Sequence, residues 1–191
     1  NNALRAHLEG LGSVEAVARA KGEIYAGLKP DGIAIVNADD AHAGLWRDLA
    51  GGHKVQSFGF DADADVRIRR SGHAGSCELI LDTPAGPIET TLQVPGEHNQ
   101  RNAAAAATLA LALGVSPSTI ASGLAGYSGV KGRLQAHACI LGATLIDDTY
   151  NANPDSVLAA IQVLAARPGQ RILVLGDMGE LGPDAANLHT E

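Results

Sequence analysis

Two short apolar runs constrain the fold of this chain more than any other feature. Residues 32–37 read Gly-Ile-Ala-Ile-Val-Asn, and residues 171–175 read Arg-Ile-Leu-Val-Leu before Gly176-Asp177. Neither run alternates apolar with polar residues. A strand with one wet face alternates, so an unbroken run predicts a strand covered on both faces, the habit of a parallel sheet between helices. Helical patterns accompany both runs. Ser13 is a good N-cap and Glu15 suits the first turn of a helix over 13–28, with Val14, Val17, Ala18, Ile24, Tyr25 and Leu28 on one face. A helix near 41–50 leads to a second strand at 54–58. That alternation predicts an α/β fold whose ligands bind at the carboxyl ends of the strands.

The stretch 66–95 departs from this pattern. Val66-Arg67-Ile68-Arg69 alternates, residues 78–81 alternate, and turn signals stand at Ser71-Gly72 and Pro84-Ala85-Gly86. About three antiparallel strands are expected there, beside the α/β core. An Ala-rich helix follows over 98–113 and Gly114 ends it; Ser116-Pro117 opens another. Residues 126–132 hold three glycines and little apolar content, which places a boundary between units 1–129 and 130–191. In the second unit, 134–140 and 144–146 read as strands. Asn153-Pro154 caps a helix to about Ala166, and another helix begins near Pro183. This order predicts a second parallel sheet.

Composition narrows the function classes. Lys+Arg number 14 against Asp+Glu 21, so the basic footprint of a general nucleic-acid or membrane-surface binder is missing. Aromatics are 3%, which leaves Ala, Leu, Val and Ile to build the core. Cys77 and Cys139 are too few for a disulfide framework or a cysteine-rich zinc site. No secretory signal or membrane-length apolar run is visible, so a reduced cytoplasmic setting is the default expectation. The polar start without Met, and the stop inside a helix, read as a piece of a longer protein.

Four patches carry chemistry. Lys21 falls on the apolar face of the first helix, with His7 in a loop upstream. Such a lysine either snorkels to water or is desolvated and more nucleophilic. In His98-Asn99-Gln100-Arg101-Asn102, Asn99 and Asn102 share a helix face and offer amide forks suited to adenine; helix capping by Asn99 is the alternative. Asp147 to Pro154 lies between a strand and a helix. There Asn153 caps and Asp148, Tyr150 and Asn151 are left free, with an acid able to accept from ribose. Gly176 to Gly182 has three glycines in seven residues, suited to close approach of a ligand. Neither a G-x-G-x-x-G fingerprint nor a G-x-x-x-x-G-K-[ST] loop occurs.

Together these patches resemble the ATP-dependent Mur ligases of peptidoglycan synthesis. The resemblance rests on Ala6-His7-Leu8-Glu9-Gly10, Ala20-Lys21-Gly22-Glu23-Ile24-Tyr25, the Gly-x-His-Asn-x-x-Asn run at 96–102, Gly132-Arg133-Leu134, 147–154 and 176–182, in family order. Asp-Asp-Thr-Tyr-Asn-Ala-Asn and Gly-Asp-Met-Gly-Glu-Leu-Gly point to the branch that joins D-alanyl-D-alanine to UDP-N-acetylmuramoyl-tripeptide. The resemblance implies that 1–129 is the later part of a P-loop-type central ATPase domain and 130–191 the first half of a Rossmann-like C-terminal domain. The N-terminal domain and the phosphate loop would lie upstream. It implies that His7 ligates magnesium and that Lys21 is carbamylated, both serving catalysis. His98, Asn99 and Asn102 match the adenine site. Arg133 and Asp148 reach ATP, Asp148 towards the ribose, with Asp147 the adjacent alternative. Tyr150 stands where a relative has a phosphate-contacting lysine, and it and Asn151 are assigned to substrate. The implied enzyme uses ATP and Mg2+, works as a monomer in the cytoplasm through an acyl phosphate, and binds neither nucleic acid nor membrane. The fragment alone is expected to be inactive. The rivals are a folylpolyglutamate-synthetase-like ligase, against which the Asp-Asp-Thr-Tyr-Asn-Ala-Asn string speaks, and a non-catalytic nucleotide-binding fragment.

Overall fold

The computed structural model describes residues 1–69 and 77–190. The turn expected at Ser71-Gly72 lies outside them. In chain order the first unit holds α1 (Leu8–Leu11), α2 (Val14–Gly22), a 3-10 turn (Glu23–Gly27), β1 (Ile33–Asn37), α3 (Ala43–Leu49), β2 (Lys54–Gly59), β3 (Val66–Arg69), β4 (Glu78–Asp82), β5 (Ile88–Thr91), α4 (Glu97–Ala112) and α5 (Pro117–Ala125). Ser13 Oγ accepts the Ala16 N–H at 3.1 Å, so the predicted cap forms. The helix expected to reach Leu28 instead stops at Gly22 and tightens into the 3-10 turn. Close packing accompanies the stop. A Cβ at Gly22 would lie 2.4 Å from Leu49 Cδ1 and 3.2 Å from Trp46 Cδ1, so the α2 backbone itself presses on α3.

The five strands form one sheet in the order β1-β2-β3-β4-β5. The first three are parallel and the last three antiparallel, as the change of pattern at residue 66 predicts. Parallel neighbours ordinarily need a long crossover. Here the β2–β3 contact is limited to Phe58↔Val66 and Gly59↔Arg67. The short loop between them is pinned by Asp65, whose Oδ2 accepts the Ser57 N–H and Oγ–H, each at 2.8 Å.

Two cores flank the sheet. On one face Phe58, Ile68, Leu79, Leu81 and Ile88 meet Ala103, Ala104 and Ala107 of α4 and Ile120 of α5. The alanine stripe lets the α4 backbone approach the strands closely. On the other, Val36 meets Val17 and Ala18 of α2 and Ala43 and Trp46 of α3. The buried Trp46 indole donates Nε1–H to the Ala18 carbonyl at 2.9 Å, so its polar edge is satisfied.

The second unit contains β6 (Gln135–Ala138), β7 (Thr144–Asp147), α6 (Pro154–Ala165) and α7 (Ala185–Thr190). Here the structure corrects two expectations. β6 and β7 pair antiparallel, from Gln135↔Asp147 to Ala138↔Thr144. Their short connection allows a hairpin and no crossover. Residues 171–175 form no strand among the described residues, and Ile172 is 73% and Val174 90% exposed. An apolar run becomes a strand only with a ladder partner and covered faces, and among the described residues this segment has neither. α6 follows the sequence closely: Asn153 Oδ1 accepts the Ser156 N–H at 3.0 Å, Ser156 Oγ accepts the Asn153 N–H at 2.9 Å, and Pro154 takes the first helical position.

The units touch along the N-terminal segment. The Arg5 backbone N–H donates to Asp155 Oδ2 at 2.7 Å, and its guanidinium to Oδ1 at 2.9 and 3.1 Å. No helix among the described residues is long and apolar enough to cross a membrane.

Candidate functional site

The parallel strands place their carboxyl ends where α/β folds bind ligands, and residues 1–3 thread across that edge. Asn37 Nδ2 donates to the Asn1 carbonyl at 3.0 Å, and the Ala3 N–H to Asp40 Oδ2 at 2.8 Å. The Lys21 ammonium donates to the Asn2 carbonyl at 2.8 Å, and Asn1 Nδ2 donates to Asn102 Oδ1. Lys21 and Asn102 thus engage the same tripeptide. Lys21 lines, with Ile24, Tyr25 and Leu28, a cavity of about 550 Å³ that reaches Ala105 and Leu109 of α4. Lys21 is an exposed residue, which favours the snorkelling alternative of the two considered from sequence. The helix turns into its 3-10 segment just beyond Lys21, so the apolar stripe does not enclose it.

His7 is the N-cap of α1 with φ +58°, and its Nδ1 lies 2.5 Å from Glu180 Oε2. Glu180 is itself left-handed, φ +59°. The loop 176–182 therefore approaches the chain at residues 7–9. His7 pairs with Glu180 and Lys21 with the Asn2 carbonyl, and the described residues hold no group of three or more His, Cys, Asp and Glu placed to ligate a metal.

The other expected residues gather where α4 faces the second unit. Gly96, with φ +103°, is the N-cap of α4, and a Cβ there would strike His98 Cε1 at 2.6 Å and approach Val163 of α6 at 3.1 Å. The His98 ring folds over this glycine against α6. Burial pushes its pKa below the ordinary histidine value, and the Asp148 carboxylate raises it part of the way back. Asn99 is not the cap. Its Nδ2 donates to the Pro95 carbonyl at 2.7 Å.

Asp148 Oδ1 accepts the Leu134 N–H at 3.1 Å, the Tyr150 N–H donates to the Gly132 carbonyl at 3.1 Å, and the Arg133 guanidinium stacks 4.4 Å over the Tyr150 ring. Arg133, Asp148 and Tyr150 thus form one assembly. Asp147 is committed elsewhere: its Oδ1 accepts the hydroxyl and N–H of Thr149 at 2.7 and 3.1 Å, and these bonds hold its pKa below the usual value. Asn151 Oδ1 accepts the Ala152 N–H at 3.0 Å, and Asn151 stays exposed.

Sequence reasoning overlooked Asp39. Its carboxylate accepts the Phe60 and Asp61 N–H groups at 2.9 Å and the Arg101 Nε–H at 2.9 Å, tying α4 to the ends of β1 and β2. Partial burial pushes its pKa up, but these bonds outweigh it and hold the group below the ordinary aspartate value. The signal was present in Asn37-Ala38-Asp39-Asp40, an acid pair directly after a buried strand.

Comparison with known proteins gives a consistent relationship. Residues 1–110 match the Mur ligase middle domain, and residues 132–191 the Mur ligase glutamate ligase domain. The UDP-N-acetylmuramoyl-tripeptide–D-alanyl-D-alanine ligase of Escherichia coli K12 is 44% identical over 193 residues, covering 100% of this chain and 43% of that protein. Among solved structures, MurF from Acinetobacter baumannii superposes with a TM-score of 0.93 at 41% identity, over 98% of this chain and 41% of that one. MurF from Thermotoga maritima, in complex with ADP, gives 0.84 at 27% identity, over 98% and 43%. The chain thus spans less than half the length of these relatives. A Mycobacterium tuberculosis folylpolyglutamate synthase, 22% identical with a TM-score of 0.62, shares the fold alone.

Proposed function

The chain belongs to the Mur ligase family, and from that premise we propose that it is part of a cytoplasmic, monomeric ligase that joins D-alanyl-D-alanine to UDP-N-acetylmuramoyl-tripeptide. Residues 1–129 form the later part of its central domain and residues 130–191 the first part of its C-terminal domain. The observation that carries the reading is the packing of Gly96, at the start of the helix that bears His98, Asn99 and Asn102, against Val163 of α6 in the second unit, where Arg5 and Asp155 also join the two units. Asn102, with His98 and Asn99, receives adenine. Asp148 accepts from the ribose, its neighbour Asp147 being spent on its own turn. Arg133 reaches the phosphates over the Tyr150 ring, with Tyr150 and Asn151 on the substrate side.

In the proposed reaction the tripeptide carboxylate attacks the γ-phosphorus of ATP, giving an acyl phosphate and ADP. The amine of D-alanyl-D-alanine then attacks the acyl carbon, and inorganic phosphate leaves as the amide forms. Magnesium would take its protein ligands from His7 and a carbamylated Lys21. Carbamylation would give Lys21 a hard carboxylate, and His7 keeps Nε2 available. Mg2+ needs only one or two protein ligands beside water and phosphate. When bound, it neutralises charge developing on the transferred phosphoryl group. The backbone cradle for those phosphates is absent from these 191 residues, so the isolated chain is expected not to ligate.

The test is a ligation assay on the whole protein, scoring ADP and the dipeptide-extended product. Lys21→Ala should abolish product, and a small added carboxylate should restore a fraction. Glutamate with a folate acceptor should give none. Near-normal activity of Lys21→Ala, or use of the folate, would overturn the reading.

A further inference from the structure

The loop 176–182 has no part in the reaction as described above, yet the structure ties it to one point of the first unit. The Glu180 carboxylate sits 2.5 Å from His7 Nδ1, and its backbone carbonyl accepts the Glu9 N–H at 3.1 Å. Met178 and Leu181 on either side are 7% and 4% exposed, which anchors the loop while Glu180 stays at the surface. Both partners hold left-handed backbone, φ +58° at His7 and +59° at Glu180, a region non-glycine residues rarely occupy. Two uncommon conformations meeting at one short contact indicate that the surrounding structure imposes the pairing. Both side chains are more than half exposed, so the pair adds little to stability and its role lies in orientation.

We propose that Glu180 is a positioning residue: it clasps the turn at residues 7–9 to the second unit and, by occupying Nδ1, makes His7 present Nε2 to the space between the units. An imidazole whose Nδ1–H is held by a carboxylate has its other nitrogen free as a lone-pair donor in a fixed direction. The inference rests on the proposed role of His7 in holding magnesium, and it adds the residue that orients it. The conserved-shape substitution Glu180→Gln keeps an oxygen able to accept from Nδ1–H; Glu180→Ala does not.

The experiment uses the whole protein with 15N-labelled histidine and compares wild type, Glu180→Gln, Glu180→Ala and His7→Ala. Nitrogen shifts report the His7 tautomer without turnover, and the magnesium concentration for half-maximal ligation is measured in parallel. Glu180→Ala should shift His7 away from the Nδ1–H tautomer and raise the magnesium requirement about 10-fold, the lower end of losses seen when such outer partners are removed. The maximal rate at saturating magnesium should hold. Glu180→Gln should keep the wild-type tautomer and stay near the wild-type requirement. An unchanged tautomer in Glu180→Ala overturns the proposal, as does an unchanged magnesium requirement there while His7→Ala raises it. If His7→Ala leaves the requirement unchanged, the metal reading of His7 fails, and the tautomer shift in Glu180→Ala still decides the clasp.

Discussion

The two units put similar apolar strand sequence to different use. In the first, Val36, Phe58, Ile68 and Leu81 are at most 1% exposed, with helices on both faces of a five-stranded sheet. In the second, Leu145, Ile172 and Val174 are more than half exposed, although α6 carries a complete capping box and β6–β7 a regular ladder. Helix caps and hairpins are closed by neighbours in sequence. Burial of a strand requires partners far along the chain, and among the described residues only the first unit supplies them on both faces.

Substitutions sharpen that contrast. Phe58→Ala should cost about 3–5 kcal/mol, the range for emptying a buried aromatic site, read as a lower urea midpoint by circular dichroism. Asp155→Ala comes next, at about 2 kcal/mol, because it strips the Arg5 guanidinium and backbone N–H of a half-buried charged partner. Asn153→Ala should cost about 1 kcal/mol through the lost cap of α6. A smaller effect comes from pH. His98 has a folded pKa below its ordinary 6.5, so the unfolded state binds the extra proton first. Its contribution is complete above that value and is lost as pH falls through the folded pKa. His98→Gln should flatten the stability profile in this window. Asp39 acts in the same direction at lower pH, below the ordinary aspartate value of 3.8. Val174→Ser should change stability by less than about 0.5 kcal/mol. A cost near that of Phe58→Ala would erase the contrast between the units.

Local signals were legible in the sequence where local physics decides. Ser13 and Asn153 cap as their types predict, and the alternation at 66–69 correctly marks a strand with one covered face. The close packing at the end of α2 was not legible, because Gly22 meets Leu49 and Trp46, residues that only the tertiary fold brings there. The same holds for 171–175, whose composition describes a buried strand but names no partner. At the candidate site, the patches at His7, Lys21, 98–102, 147–154 and 176–182 could be singled out one by one. Which of them meet could not: the pairing of His7 with Glu180 spans nearly the whole chain, and Asp39 gains its meaning from Arg101 and the Phe60 backbone.

Trp46 is the chain's one tryptophan, and it lies 3% exposed with its indole bonded to the α2 backbone. Excited at its red edge, the protein therefore carries a single emitter, sited entirely in the first unit. Loss of the α2–α3 contact would move that emission to longer wavelength, whereas melting of β6, β7 and α6 would leave it dark to the observer. An optical titration of this chain consequently records one half of the molecule, and any lag between it and a backbone signal measures how loosely the other half is coupled.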